Sequence, residues 1–210
     1  VSRVLSRQQP RNATPTGTFF AGLGRDLLAT VERVVRLTPT IVEVVVRAPL
    51  AARNFQPGQF YRLQNYEQQA PQIGGAILTT EPLALTGAWV DPVDGLLSMI
   101  ALELGVSSRL CAALKPGEPI VVMGPTGTPT VIPEAETVLL VGGGLGNAVL
   151  FSIARACKQR GNRVLYVAGY KKATDLFKRD EIEAATDLVI YAVDPGNGTL
   201  TPRRSADRFF

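Results

Sequence analysis

Apolar residues come first in short runs broken by turn residues, and later in longer runs separated by helical patterns. Ala29 to Arg36 and Ile41 to Val46 are rich in β-branched residues, and Leu37-Thr38-Pro39-Thr40 joins them as a hairpin would. Phe60 to Leu63 follows the turn Gln56-Pro57-Gly58, and Leu83 to Val90 and Leu96 to Leu102 flank the hairpin signature Asp91-Pro92-Val93-Asp94-Gly95. A short helix is predicted over Ser107 to Leu114, ending at Lys115-Pro116-Gly117-Glu118, before Pro119 to Met123 returns as a strand. About six short strands at this spacing predict a small antiparallel β-barrel over residues 26–130. Residues 1–25, rich in Arg, Gln, Pro, Thr and Gly, read as a linker or tail.

The rhythm changes after Pro133. Val138 to Val141 reads as a buried strand, followed by a glycine turn and a helix from about Asn147 to Arg160, on which Val149, Leu150, Ile153, Ala154 and Cys157 share one face. Val164 to Ala168 is the next strand, Asp175 to Ala185 a second helix and Leu188 to Val193 a third strand. This β-α-β-α-β order predicts a parallel sheet with right-handed crossovers over residues 134–210. The apolar run from Thr137 to Cys157 is long enough to suggest a membrane span. It contains Gly142, Gly143, Gly144, Gly146, Asn147 and Arg155, which a strand, turn and helix explain better.

Hydrophobic residues make up 46% of the 210 and charged residues 19%, the balance of a folded soluble protein. Much of the net charge of +4 comes from Arg3, Arg7 and Arg11 and from Arg203, Arg204 and Arg208. Scattered end arginines argue for solvated segments, not a nucleic-acid surface. Two cysteines, Cys111 and Cys157, lie in apolar helical patterns and are expected as buried reduced thiols. With no histidine, ligands for zinc or an iron–sulfur cluster are too few, and no Ser–His or Cys–His machinery is available. A bound cofactor is therefore expected to carry any chemistry. The polar, basic start lacks the apolar core of a signal peptide, so a cytoplasmic location without membrane attachment is expected.

The candidate site is Gly142-Gly143-Gly144-Leu145-Gly146-Asn147, where glycines permit close approach and a helix start offers free N–H groups to a pyrophosphate. A tight turn without ligand is the plainer alternative, because the full G-x-G-x-x-G pattern is not met: its third position is Val149. The second strand ends at Ala168-Gly169-Tyr170 with no carboxylate to grip a ribose. Lys171 and Lys172 stand there instead, so a 2′-phosphate would not be repelled, although lysines in such places are usually just exposed; NAD and NADP both stay open.

A barrel followed by a β-α-β unit with Gly-Gly-Gly-x-Gly resembles the ferredoxin–NADP reductase superfamily, and within it the electron-transfer subunit of dihydroorotate dehydrogenase. The landmarks are Pro57-Gly58-Gln59-Phe60, Leu114-Lys115-Pro116-Gly117-Glu118, Gly124-Pro125-Thr126-Gly127 and the glycine turn itself, spread over Leu28 to Val193. The resemblance implies FAD on the barrel and NAD(P) on the second domain, which in this family continues further, so the domain is expected to be truncated here. The family's Arg-Pro-x-Ser flavin segment corresponds to Glu81-Pro82-Leu83-Ala84, where Arg and Ser are replaced. A carboxylate cannot pair with a phosphate, so either the correspondence is off by a few residues, or FAD binds weakly or not at all, or, the favoured reading, Arg62 or Arg109 supplies the positive charge. Ile100-Ala101-Leu102 corresponds to the strand beside the flavin, and Gly105-Val106-Ser107-Ser108 to the turn that holds its pyrophosphate. Ser107 or Ser108 also reads as a simple helix cap, and the two roles are compatible.

The expected function is electron transfer between NAD(P)H and an iron–sulfur or flavin partner, on another chain or another part of a longer polypeptide. The family's own cysteine cluster is missing. Two alternatives remain: a flavin-free regulatory or assembly subunit that keeps the reductase fold, and a simple NAD-dependent dehydrogenase, in which the barrel would have no task.

Overall fold

The computed structural model describes residues 28–70, 72, 73, 75–77 and 82–210, with 17, 21, 22 and 24 before them. Glu81 and nearly all of the expected tail lie outside the described residues.

β1 (Ala29–Arg36) and β2 (Ile41–Arg47) form a hairpin whose turn is closed by the Thr38 hydroxyl, which accepts from the amides of Thr40 (3.3 Å) and Ile41 (3.1 Å). β3 (Phe60–Asn65) follows, then the two-residue strands β4 (Gln72–Ile73) and β5 (Ala76–Ile77). β6 (Leu83–Asp91) and β7 (Leu96–Leu102) make the second hairpin, in which the Asp91 carboxylate accepts from the amides of Val93 and Asp94 and Gly95 takes φ +67°. A glycine suits that left-handed position at no steric cost. With β8 (Pro119–Thr126) these strands close a six-stranded antiparallel barrel in the order β1-β2-β7-β6-β3-β8. Val42, Val44, Leu97, Met99 and Tyr61 fill it.

The pattern did not predict α1 (Pro49–Asn54), a helix opened by a proline whose φ is already helical. α2 (Val106–Ala113) adds Cys111 to the barrel core, and burial pushes that thiol up to about 12, as befits an inert packed cysteine.

β9 (Thr137–Gly143), β10 (Arg163–Tyr170), β11 (Leu188–Val193) and β12 (Arg208–Phe209) form a parallel sheet in the order β12-β11-β10-β9. α3 (Asn147–Gln159) and α4 (Arg179–Ala184) pack where Val164, Tyr166, Val189 and Tyr191 are buried. On the opposite face Leu139 and Val141 are 60% and 66% exposed. Two elements differ from what the sequence pattern shows. The helix expected over Asp175–Ala185 begins only at Arg179, because Ala173–Asp175 closes a separate 3-10 turn and Lys178 adopts φ +55°. β12, only two residues long, carries no readable periodicity.

Barrel and sheet meet where α3 packs on β6, and β2, buried on both faces, reaches the same border. Ile41 packs with Ala88 and Ile100 against the α3 side, while Val42, Val44 and Val46 face into the barrel. Within this apolar strand sits Glu43, 3% exposed. Its carboxylate accepts from the Ser98 hydroxyl (2.6 Å) and the Trp89 indole (2.9 Å) and pairs with the Lys178 ammonium of the other lobe at 2.9 Å. Lys178 also pairs with Glu181 at 2.9 Å. Burial alone would raise the Glu43 pKa, but hydrogen bonds from Ser98 and Lys178, the Lys178 charge and the Trp89 bond outweigh it and hold it below the ordinary carboxylate range. Burial lowers Lys178, and its two carboxylate partners more than reverse that. A left-handed backbone at a residue with a Cβ is costly, and these contacts hold it.

Lys178→Met leaves a buried carboxylate without a counter-charge and is expected to lower the unfolding free energy by about 3–5 kcal/mol, read from urea denaturation at pH 7. Glu43→Gln keeps neutral partners for Ser98 and Trp89 and costs less. Because the folded Glu43 pKa is depressed, its contribution is present above the unfolded carboxylate pKa and is lost as pH falls through the folded value. Wild type and Glu43→Gln should therefore converge in stability in acid.

Candidate functional site

The parallel strands end at a ridge of glycines, with Gly142 paired to Ala168 and Gly143 to Gly169 in the ladder. Gly144–Gly146 then make a 3-10 turn that runs straight into α3. The first N–H groups of such a helix have no preceding carbonyl to bond to, and they face the same end as the strand termini.

These glycines do different jobs. A Cβ on Gly142 would strike the Asn147 side-chain oxygen and approach Leu150 Cδ1 at 2.9 Å, so packing requires glycine there. Gly144 takes φ +51°. Gly143 and Gly146 have ordinary negative φ, and a Cβ on either would meet nothing within 4 Å. Nothing inside the fold needs them to lack a side chain.

Asn147, read from the sequence as a nucleotide contact, has its side chain engaged within the fold. It is fully buried, its amide donates to the carbonyls of Gly144 (2.8 Å) and Gly169 (3.4 Å), and its oxygen accepts from the Tyr166 hydroxyl (2.8 Å). It locks the turn to β10. Leu145 packs against the core shared by both lobes.

In front of the ridge opens a cleft of about 570 Å³ lined by Gly143, Gly144, Gly169, Tyr170, Lys171 and the end of β11 through Asp194 and Pro195. Ligands of open α/β sheets bind at this place, beyond the carboxyl ends of the strands. Lys171 is exposed, while the Tyr170 ring turns inward against Phe177 at 6.2 Å, its hydroxyl buried without a hydrogen-bond partner. Tyr170 therefore meets the cleft through its backbone.

On the barrel, Arg62 of β3 lies opposite Ala84 of β6, both exposed, and Pro82 just before β6 is exposed as well. Arg62 has no acidic partner among the described residues. Leu83 and Ser107 line one small cavity with Leu63, so β3, β6 and the start of α2 converge. Ser108 sits at the third position of α2, where its hydroxyl accepts from the Leu104 and Gly105 amides and donates to the Gly105 carbonyl, each at 3.0 Å. That spends Ser108 on capping, while the half-buried Ser107 hydroxyl has no partner among the described residues. Along β7, Ile100 and Leu102 turn toward the contact between the lobes and Ala101 into the barrel.

The sequence reading passed over Glu43 and Lys178, which set how the two lobes sit. A carboxylate inside Ile41-Val42-Glu43-Val44-Val45-Val46 was the available signal.

A six-stranded barrel joined to a parallel sheet, with a glycine turn at the strand ends, is the fold of ferredoxin–NADP reductase-like FAD- and NAD-binding proteins. The comparisons agree in fold and in sequence. The chain has a TM-score of 0.70 and 29% identity with a chain of an NADH-dependent reduced ferredoxin-NADP oxidoreductase, covering 81% of this chain and 58% of that one. Against the ferredoxin reductase in carbazole 1,9a-dioxygenase the values are 0.64 and 27%, over 79% and 49% of the two chains. Among curated proteins it is 29% identical over 177 residues to the dihydroorotate dehydrogenase B electron transfer subunit homolog of Thermotoga maritima, spanning 84% of this chain and 59% of that protein. The Bacillus cereus subunit is 28% identical over 166 residues, 78% of this chain and 61% of that one. An uncharacterized protein of Rickettsia prowazekii is 35% identical over 148 residues, which is 70% of this chain and 20% of that protein. The chain thus spans about three fifths of the electron transfer subunits and a fifth of the rickettsial protein. No family model matches. Among the described residues no helix is long and apolar enough to cross a membrane.

Asn147→Ala strands the Tyr166 hydroxyl and frees the turn, and is expected to cost about 1–3 kcal/mol. Thermal unfolding checks this, and Gly142→Ala, which forces Asn147 aside, should shift the midpoint in the same direction.

Proposed function

We propose that the chain is a flavin- and nicotinamide-dependent oxidoreductase module, taking electrons from NAD(P)H, or returning them, through FAD to an iron–sulfur or flavin partner elsewhere in a longer assembly. Relatives that are electron transfer subunits and neighbours that are ferredoxin reductases support an oxidoreductase of this kind. The observation that carries the nucleotide half is the open space over Gly143 and Gly146: a cradle that Cβ atoms would fill, at a helix start that favours a diphosphate.

On the barrel, the residues present fit a second diphosphate. The α2 start offers N–H groups, and Ser107 a hydroxyl and Arg62 a guanidinium that have no partner among the described residues, the latter able to replace the arginine missing before Pro82. FAD, when bound, supplies the hydride and single-electron chemistry. The protein's part is to hold both dinucleotides and keep water from the contact between them. Ile100 and Leu102 pack in the apolar core between the lobes, and the Glu43–Lys178 pair keeps the lobes in register. No side chain need move a proton.

Ala84, lacking a hydroxyl, is the feature that favours the flavin-free regulatory reading, and a spectrum separates the two. Chain supplied with FAD and passed through gel filtration should retain the visible flavin band. Arg62→Ala should weaken FAD at least about tenfold, the effect of losing a hydrogen bond to a charged group. A colourless protein after this treatment defeats the flavin half. For the nucleotide half, Gly143→Ala should leave folding unharmed or raise stability by about 0.4–1 kcal/mol. The same change should weaken NAD(P)H binding, followed by nucleotide fluorescence, at least about tenfold. Unaltered binding would remove the cradle argument.

A further inference from the structure

We infer a further small-molecule site, at the seam between the lobes on the far side from the glycine turn, that takes an aromatic carboxylate of one or two rings. It does not rest on the flavin and nucleotide readings above. Small-molecule pockets favour domain borders and have apolar and aromatic walls with a few polar groups. Here a cavity of about 270 Å³ lies between the barrel and the second half of α3, with Phe55, Pro57 and Trp89 on one side and Arg155, Ala156 and Gln159 on the other. Through Pro57, Ala156 and Gln159 it continues into a space of about 460 Å³ under the connection between the lobes at Thr130 and Val131. Arg155 and Gln159 stand roughly 12–18 Å along the α3 axis from Asn147, so this is not the nucleotide cleft.

Both aromatic walls are fixed before any ligand arrives. Phe55 stacks on Tyr61 at 5.9 Å and lies over Gly87, where a Cβ would meet its ring at 2.5 Å. Trp89 is anchored by its indole on Glu43 at 2.9 Å, with the Arg33 guanidinium 5.8 Å from its ring centre. The connection between the lobes is tied to each of them. The Thr130 amide donates to the Pro57 carbonyl at 2.9 Å, and Arg160 donates to the Ile132 carbonyl at 2.8 Å. On the α3 side the half-buried Ala156 is small enough to leave the space open. A flat ring loses little freedom against walls as rigid as these.

Charge selects the sign of the ligand. No acidic side chain lines either space among the described residues. Arg155 is exposed and makes no ion pair or hydrogen bond among the described residues. It also borders the gap between α3 and α4, where Asp180 and Glu181 stand. Those carboxylates are engaged elsewhere, Asp180 with Arg203 at 2.6 Å and Glu181 with Lys178 at 2.9 Å. A free guanidinium at the rim of an aromatic cavity matches a planar carboxylate, which it can hold through two parallel hydrogen bonds.

Isothermal titration of the full chain with 2-naphthoate and with neutral 2-naphthamide tests the site. The naphthoate should bind at least about tenfold more tightly than the amide. Arg155→Gln should bring the naphthoate down to the affinity of the amide and leave the thermal midpoint unchanged. Ala156→Leu fills the cavity and should abolish binding of both compounds, with a circular dichroism spectrum like that of the wild type. Excess FAD or ADP should leave naphthoate binding in place. No naphthoate binding below about 1 mM would overturn the site. So would equal affinity for the amide, indifference to Arg155→Gln, or displacement by FAD or ADP. Each of these results leaves the proposed oxidoreductase function standing.

Discussion

A single carboxylate inside an apolar strand decides how the two halves of this molecule meet. Glu43 could not stay charged in the middle of β2 without Ser98, Trp89 and Lys178 around it. Two of those partners belong to the barrel and one to the sheet lobe. The charge therefore has its full set of bonds in only one relative placement of the lobes. Buried ion pairs add little net stability compared with good apolar packing, but they are expensive to half-satisfy, which makes them effective at specifying one arrangement. The apolar contacts of Ile41, Ala88 and Ile100 supply adhesion along the same line, without that selectivity.

The glycine turn shows the same division between what holds the fold and what is left for a ligand. Gly142 and Asn147 belong to the architecture, one making room for the other, and Tyr166 ties both to β10. Gly143 and Gly146 have open space over them among the described residues. The proposed site sits on strand ends and a helix start, so its amides would be aimed before a ligand arrived. The start of α2 repeats the pattern on the barrel, where Ser108 is consumed in capping and Ser107 has no partner among the described residues.

Much of the fold was legible because its signals are local. The two hairpins follow from Thr38 and from Asp91 with Gly95, whose side-chain and φ preferences act over three or four residues. β-branched runs and one helical stripe settled the main strands and α3. Misreadings came where tertiary contacts overrule local preference. The second helix was expected four residues too early, where Lys178 takes a left-handed turn and pairs with Glu43 of the other lobe and Glu181 of its own. Asn147, Tyr170 and Ser108 were read as candidate cofactor contacts, Ser108 also as a helix cap, which it is. Their side chains turn inward through hydrogen bonds and ring contacts that no spacing rule encodes. Glu43 was visible as an anomaly, but its meaning depended on knowing what lay across from it.

Trp89 is the chain's sole tryptophan, and its indole is one of the three donors that satisfy Glu43. Ultraviolet emission from this protein thus originates at the border between its halves, undiluted by other indoles. Any event that parts the lobes, wets that border or seats a quenching chromophore nearby will alter one fluorophore of known position. The molecule comes with its own optical gauge of whether it is closed.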